Sequence, residues 1–213
     1  MKEINYILGL DVSTKTIGIA LFEDLGDKGK VKLLHHVSPT VKPKPEKKAT
    51  ELFEKVNIFE EDFLKKYSNI GIKRVIIEEP LLGSNNVHTV ATLLRFNGMI
   101  SKSCYNILGV SPDFISSYDS RMNAFPELMS VRRFKKNGEA LTEKQISKNL
   151  PVLFGGYPFD IDKKCVIWEK VSDLEPQIVW LYDKNKKLKK ENYDTSDAYA
   201  CVIGFMRQQN FWK

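Results

Sequence analysis

The chain has 213 residues, of which 42% are apolar and 28% charged. This is the composition of a packed globular protein rather than a disordered one. No apolar run reaches the roughly 18–20 residues of a membrane span, so no membrane partner is expected. Cys104, Cys165 and Cys201 stand far apart, without a CxxC or a nearby His, which argues against a disulfide framework or a zinc site. The first ten residues include an acid and lack the apolar core and cleavage site of a secretory signal, so a cytoplasmic location is expected.

Residues 4–12, INYILGLDV, form an apolar run that reads as a buried strand. After the polar STKT turn, Ile17–Phe22 reads as a second strand in a hairpin with the first, and Val31–Val37 follows the turn 24–30 as a third. Over 46–67, Leu52, Val56, Phe59, Phe63 and Tyr67 recur every three or four residues and predict an amphipathic helix. Arg74–Glu78 is a short apolar strand bounded by Pro80 and Gly83. A helix over Val87–Tyr105 and a strand within Val110–Tyr118 come next. The last periodic segment, Ser196–Gln209, carries Ala198, Cys201, Val202, Phe205 and Met206 on one helical face. The stretch 119–192 reads as mixed helix and loop, and no internal repeat is visible. The order predicts an α/β domain around a five-stranded mixed sheet flanked by helices, with 119–192 as an enlarged insertion before the C-terminal helix of a single domain spanning 1–213.

Four carboxylates fall where this order lets them converge. Asp11 ends the first apolar strand, an unfavourable place for an unused charge. Glu78 ends the fourth strand, and because strand neighbours alternate, only one of Glu78 and Glu79 should face such a cluster. Asp194 and Asp197, three apart at the start of the last helix, share one helical face. Each has a plainer reading: a turn-forming Asp11, an edge-strand charge at Glu78, an N-cap and a first-turn acid at Asp194 and Asp197. Gathered together, the four repel one another unless cations neutralise them. Hard divalent ions prefer such oxygen donors, and a pair of them suits phosphodiester hydrolysis.

The basic residues cluster as well. There are 33 Lys and Arg against 27 Asp and Glu, a net charge of +6. They concentrate in 41–48, in 131–148 (Arg132, Arg133, Lys135, Lys136, Lys144, Lys148) and in 184–190 (KNKKLKK). One such run alone is a solvated loop. Three, interleaved with Phe134, Tyr157, Phe159, Trp180 and Tyr182, point to a phosphate-tracking surface.

The segments ILGLDVSTKTIGIALFE (7–23), VIIEEPLLG (75–83) and YDTSDAYACVIGF (193–205) resemble the RNase H-like superfamily and, within it, the RuvC-type Holliday junction resolvases. Asp11, Gly18, Glu78, Asp194 and Asp197 match that pattern residue by residue, and the helix after Glu78, with Gly98, is similar too. The resemblance covers 4–118 and 193–207 and is weakest over 119–192, a length similar to that of phage or mobile-element variants. It implies cutting of four-way DNA junctions by a homodimer, in the host cytoplasm if phage-encoded. It further implies Asp11, Glu78, Asp194 and Asp197 as catalytic ligands of two Mg²⁺ or Mn²⁺ ions, and nicks with 5′ phosphates. Lys15, Arg132, Arg133, Lys135, Lys136, Lys186, Lys187, Lys189 and Lys190 are the expected DNA contacts. Lys15, Lys170 and Lys189 are the candidates for the basic residue that the resemblance implies near the scissile phosphate.

Rival readings have specific requirements. An actin-like ATPase needs a duplicated domain and a second phosphate loop. A DEDD exonuclease needs an acid where Ser13 stands. A ribonuclease H acting on hybrids needs a helical Glu, for which Glu51 and Glu54 are available. A non-catalytic nucleic-acid-binding module of the same fold is the remaining alternative.

Overall fold

The computed structural model describes residues 4–80, 86–158 and 161–213. The elements run β1 (Tyr6–Val12), β2 (Ile17–Asp24), β3 (Gly29–Val37), α1 (Lys48–Phe59), a π-helical turn (Glu60–Leu64), α2 (Lys65–Tyr67), β4 (Ile72–Glu78) and α3 (Val87–Leu108). Then follow β5 (Asp113–Ile115), α4 (Ser117–Ala124), a 3₁₀ turn (Pro126–Leu128), β6 (Met129–Val131), α5 (Glu143–Ile146), β7 (Pro151–Leu153), α6 (Lys163–Leu174) and α7 (Glu191–Gln208). The expected helix 46–67 is thus one helical run interrupted by a π turn. Gly83 and Phe159, used in the sequence reading, lie outside the described residues.

The main sheet has the order β3-β2-β1-β4-β5. β1–β2 and β2–β3 are antiparallel, while β1–β4 and β4–β5 are parallel. Strand alternation divides its side chains between two cores. Leu8, Leu10, Ile19, Val75 and Ile77 pack with Leu52, Val56, Phe59, Phe96 and Ile100 of α1 and α3. Ile7, Ala20, Phe22 and Ile76 pack on the other face with Ala198, Val202 and Phe205 of α7 and with Ile167 and Val171 of α6. Helices therefore cover both faces of a mixed sheet.

α7 lies unusually close to the sheet, and Gly18 permits it. A Cβ on Gly18 would stand 2.0 Å from the Asp194 carbonyl oxygen. The Thr195 hydroxyl fastens the same turn to β3 by donating to the His35 carbonyl at 3.1 Å.

The segment between α4 and α7 builds a two-stranded sheet, β6–β7, and one hairpin turn twice. Phe134 bridges to Ala140, and Tyr182 to Leu188. In each hairpin the first loop residue donates to the carbonyl four residues on (Lys135 to Glu139, Asp183 to Lys187). The fourth donates back to the first (Gly138 to Lys135, Lys186 to Asp183). The fourth residue has a left-handed backbone, φ 87° at Gly138 and 59° at Lys186, as expected of a type I turn closed by a bulge. The repeat that the sequence did not show is thus one of backbone geometry.

Candidate active site

Parity places the acids. Ile7, Gly9 and Asp11 point to the α7 face of β1, as Ile76 and Glu78 do on β4. The parallel register pairs Leu10 with Ile77, so Asp11 and Glu78 stand one step beyond, at the carboxyl ends of adjacent strands. In open α/β sheets that end is where ligands bind. β4 is an interior strand, so Glu78 is no edge-strand charge. Glu79 points away to solvent, and its N–H donates to the Ile115 carbonyl at 2.8 Å. Nor does Asp11 make the β1–β2 turn. Ser13 does so, its hydroxyl accepting from the Lys15 and Thr16 amides and donating to the Thr16 carbonyl.

α7 begins at Glu191, five residues earlier than the predicted Ser196. Asp194 is therefore inside the helix, not its cap. Asp197, one turn on, is 3% exposed, and its side chain faces Arg121 and Lys164. The Arg121 guanidinium, from α4, donates to Asp197 Oδ1 at 3.3 Å. Lys164, from the first turn of α6, reaches Asp194 Oδ1 at 2.7 Å and Asp197 Oδ2 at 3.7 Å. Behind Glu78 lies Cys201, whose thiol donates to Glu78 Oε2 at 3.7 Å and sits 3.8 Å from Ser120 Oγ.

The electrostatics are those of crowded acids. Burial, then repulsion from Glu78, Asp197 and Asp194, raises Asp11 well above the usual carboxylate range. Burial and Asp197 push Glu78 up to about 7, even with Arg121 opposing. Asp197 is raised by burial, while Arg121 and Lys164 pull it back. Arg121 and Lys164 are both raised by these acids despite their burial. Two cations thus face four carboxyl groups and do not offset the burial and mutual repulsion that raise Asp11, Glu78 and Asp197.

Among the described residues, no group of three or more His, Cys, Asp or Glu side chains is gathered in a form that could hold a metal ion. In this arrangement Lys164 and Arg121 take up the acids. The donor chemistry nevertheless fits a hard divalent cation: carboxylate oxygens on three elements, with the charged forms of Asp11, Glu78 and Asp197 disfavoured until a cation arrives.

The expected basic residues separate into groups. Lys15 and Lys190 line a cleft of about 590 Å³ beside Lys164, Asp194 and Tyr193. Lys170 is turned away to Glu127 at 2.7 Å, so of the three lysines considered for the scissile phosphate it is removed, and Lys189 stays exposed at the end of the 181–189 hairpin. The residues actually at the acids, Lys164 and Arg121, escaped the sequence reading. One signal was present: Lys163 and Lys164 open α6 behind the cap Asp162, which accepts from the Lys164 and Cys165 amides. Cations in a first turn oppose the helix dipole and need an acidic partner. Arg132 stacks over Tyr157 at 4.8 Å, and Lys135 pairs with Glu139 at 2.8 Å. Arg133, Lys136, Lys186 and Lys187 project to solvent from the two hairpins. Glu51, a candidate in the hybrid-nuclease reading, is taken by Lys48 and Lys55 at 2.9 and 3.1 Å, on the sheet face opposite α7.

No protein-family model and no curated protein sequence matches the chain. Solved structures do. RuvC of Thermus thermophilus in complex with a Holliday junction substrate superposes with a TM-score of 0.57, at 10% identity, over 96% of each chain. The fold is that of RuvC. A second Thermus thermophilus RuvC structure gives 0.53 at 12% identity, over 96% of this chain and 97% of that one. A Ppx/GppA family member from Aquifex aeolicus superposes more loosely, at 0.39 and 10% identity over 98% and 90%.

Proposed function

We propose that this chain is a divalent-metal-dependent endonuclease that resolves four-way DNA junctions by paired phosphodiester hydrolysis, acting as a homodimer with 1–213 as one nuclease domain. The observation that carries this reading is the placement of Asp11, Glu78, Asp194 and Asp197. They stand together at the carboxyl end of β1 and β4, in a fold shared over nearly its full length with a RuvC structure that holds a Holliday junction. The homodimer follows from the substrate, since opposing strands of one junction need two cuts.

Asp11, Glu78 and Asp197, with Asp194 at the rim, are the residues that would hold Mg²⁺ or Mn²⁺. When bound, a pair of such ions supplies water activation and stabilisation of the leaving 3′ oxygen. The chain's own residues do the rest. Arg121 keeps Asp197 turned inward. Lys164, with 48% of its side chain exposed, stands where a phosphate approaching the acids would meet it, and exchanges its ion pair with Asp194 for a contact to a nonbridging oxygen. Lys15 and Lys190 flank the cleft on the same side and bind backbone phosphates, so affinity falls with salt.

The test is incubation of the purified chain with a synthetic four-way junction, a linear duplex and an RNA–DNA hybrid, each with Mg²⁺ and with Mn²⁺. Symmetric nicks in opposing strands of the junction are expected. Cleavage confined to the hybrid would replace this reading with a ribonuclease H. Junction binding without cleavage in both metals would replace it with a non-catalytic module.

A further inference from the structure

The hairpin built from residues 181–189 has three properties that its twin at 133–141 does not share. First, it is anchored to the helix that carries the acids. The Asn192 side chain, in a residue only 3% exposed, accepts from the Leu181 amide at 3.0 Å and donates to the Leu181 carbonyl at 2.7 Å. Asn192 lies two residues before Asp194, so the base of the hairpin is tied to the first turn of α7. Second, its charge is unopposed. Lys184, Lys186, Lys187, Lys189 and Lys190 are all exposed, and among the described residues none of them forms an ion pair. The hairpin's one acid, Asp183, is spent on the Asn185 and Lys187 amides at 2.7 and 2.9 Å. In the twin, Lys135 is neutralised by Glu139.

Third, Lys186 occupies the left-handed position, φ 59°, that the twin fills with Gly138. An L side chain is disfavoured there, and an amino acid kept in such a conformation points to a use for its side chain. A lysine at the tip, where geometry favours glycine, is a charge placed against the local backbone preference.

We propose that this hairpin grips successive phosphates of the strand to be cut, and that Asn192 transmits the grip to Asp194 and Asp197, fixing which phosphate reaches the acids. The extended arm, residues 181–183, spans about 7 Å, the axial rise of about two nucleotides on one strand, and the turn beyond it carries Lys184 and Lys186. Lys190, at its foot, lines the cleft beside Asp194, so the base of the hairpin opens onto the cleft that holds the acids. Asn192 is here a positioning residue. The proposal rests on the nuclease reading above, and its test is built in two parts so that the two can fail separately.

The first part measures binding of the full chain to a four-way junction in EDTA, as a function of NaCl. Each phosphate contact contributes about 0.9 to the slope of log K against log[salt]. Lys186→Gly is expected to lower the slope by about 0.9 and to weaken binding about 5- to 10-fold at 0.1 M salt, while its thermal midpoint stays equal or rises. Lys184→Ala/Lys186→Gly/Lys187→Ala should lower the slope by about 2.7. An unchanged slope in both overturns the grip, whether or not the wild type cuts DNA.

The second part maps scission sites on an end-labelled junction. Asn192→Ala should bind within about threefold of wild type yet spread its cuts over neighbouring phosphates, and Asn192→Asp, which keeps the acceptor to the Leu181 amide, should spread them less. Cuts at the same single phosphate in both variants, with folding verified by thermal melting, overturn the positioning role. If the wild type cuts no branched DNA, the nuclease reading and the positioning role fall together, and the salt slope alone decides the grip.

Discussion

Replacing Glu78 with Gln should stabilise the metal-free protein at alkaline pH, and the structure sets the size of the gain. Burial and the Asp197 charge raise the Glu78 carboxyl from the ordinary 4.5 to about 7. The folded state therefore holds this proton more tightly than the unfolded chain does. Its stabilising contribution is present below about pH 4.5 and is lost as pH rises through about 7. At 1.36 kcal/mol per pKa unit the loss by pH 8 is about 3 kcal/mol, an order-of-magnitude figure because Asp11 and Asp197 titrate with it. Gln has nearly the same shape and no charge, so it escapes that loss. Urea unfolding in EDTA should show Glu78→Gln more stable than wild type by about 2–3 kcal/mol at pH 8 and equal to it near pH 4.5. Mg²⁺ or Mn²⁺ should raise the wild-type midpoint at pH 8 and leave the variant nearly unmoved. A variant less stable than wild type at pH 8, or a difference that does not depend on pH, would refute the crowded-acid description.

Three further substitutions probe the parts that hold the acids. Gly18→Ala places a methyl group 2.0 Å from the Asp194 carbonyl oxygen, so α7 must lift. About 3 kcal/mol of destabilisation and loss of cleavage are expected, read by denaturant unfolding and a junction-cutting assay. Lys164→Ala removes a half-exposed ion pair and should change stability by less than about 1 kcal/mol. It should also slow single-turnover cleavage about 10²-fold, the scale for losing one charge-stabilising contact, with junction affinity held within a few-fold. Arg121→Met leaves Asp197 without its buried partner and should cost about 3 kcal/mol at pH 8. The cost shrinks as pH falls and Asp197, whose carboxyl is raised by burial, takes up a proton, which unfolding curves followed downward from pH 8 will show.

The sheet and its four acids were legible because both leave local marks. Alternation and apolar runs identify β1, β2 and β4, and a carboxylate closing such a run is costly unless used, which singled out Asp11 and Glu78. The three-residue spacing of Asp194 and Asp197 survived although α7 starts at Glu191, since the spacing depends on the helical period and not on where the helix begins. Arg121 and Lys164 were not legible as site residues. They come from α4 and α6, segments brought to the acids by packing against α7, and a lone Arg or Lys carries no periodic signal. The twin hairpins were hidden for another reason. Their turns, KKNGE and DKNKK, share only Lys and Asn at matching places, and what repeats is a hydrogen-bond pattern and a left-handed residue. The strand expected within Val110–Tyr118 is Asp113–Ile115, at the sheet edge beside β4.

Scission of a synthetic four-way junction, labelled in turn on each strand, decides whether the four acids form a nuclease centre, with wild type and Asp11→Asn compared at matched occupancy. Paired, symmetric nicks by the wild type are expected in Mg²⁺ or Mn²⁺. None are expected from Asp11→Asn, which should bind the junction as tightly or more tightly because one of the crowded acids has gone. A wild type that binds the junction but leaves every strand intact in both metals, or an Asp11→Asn variant that cuts at the wild-type rate, would contradict the nuclease reading.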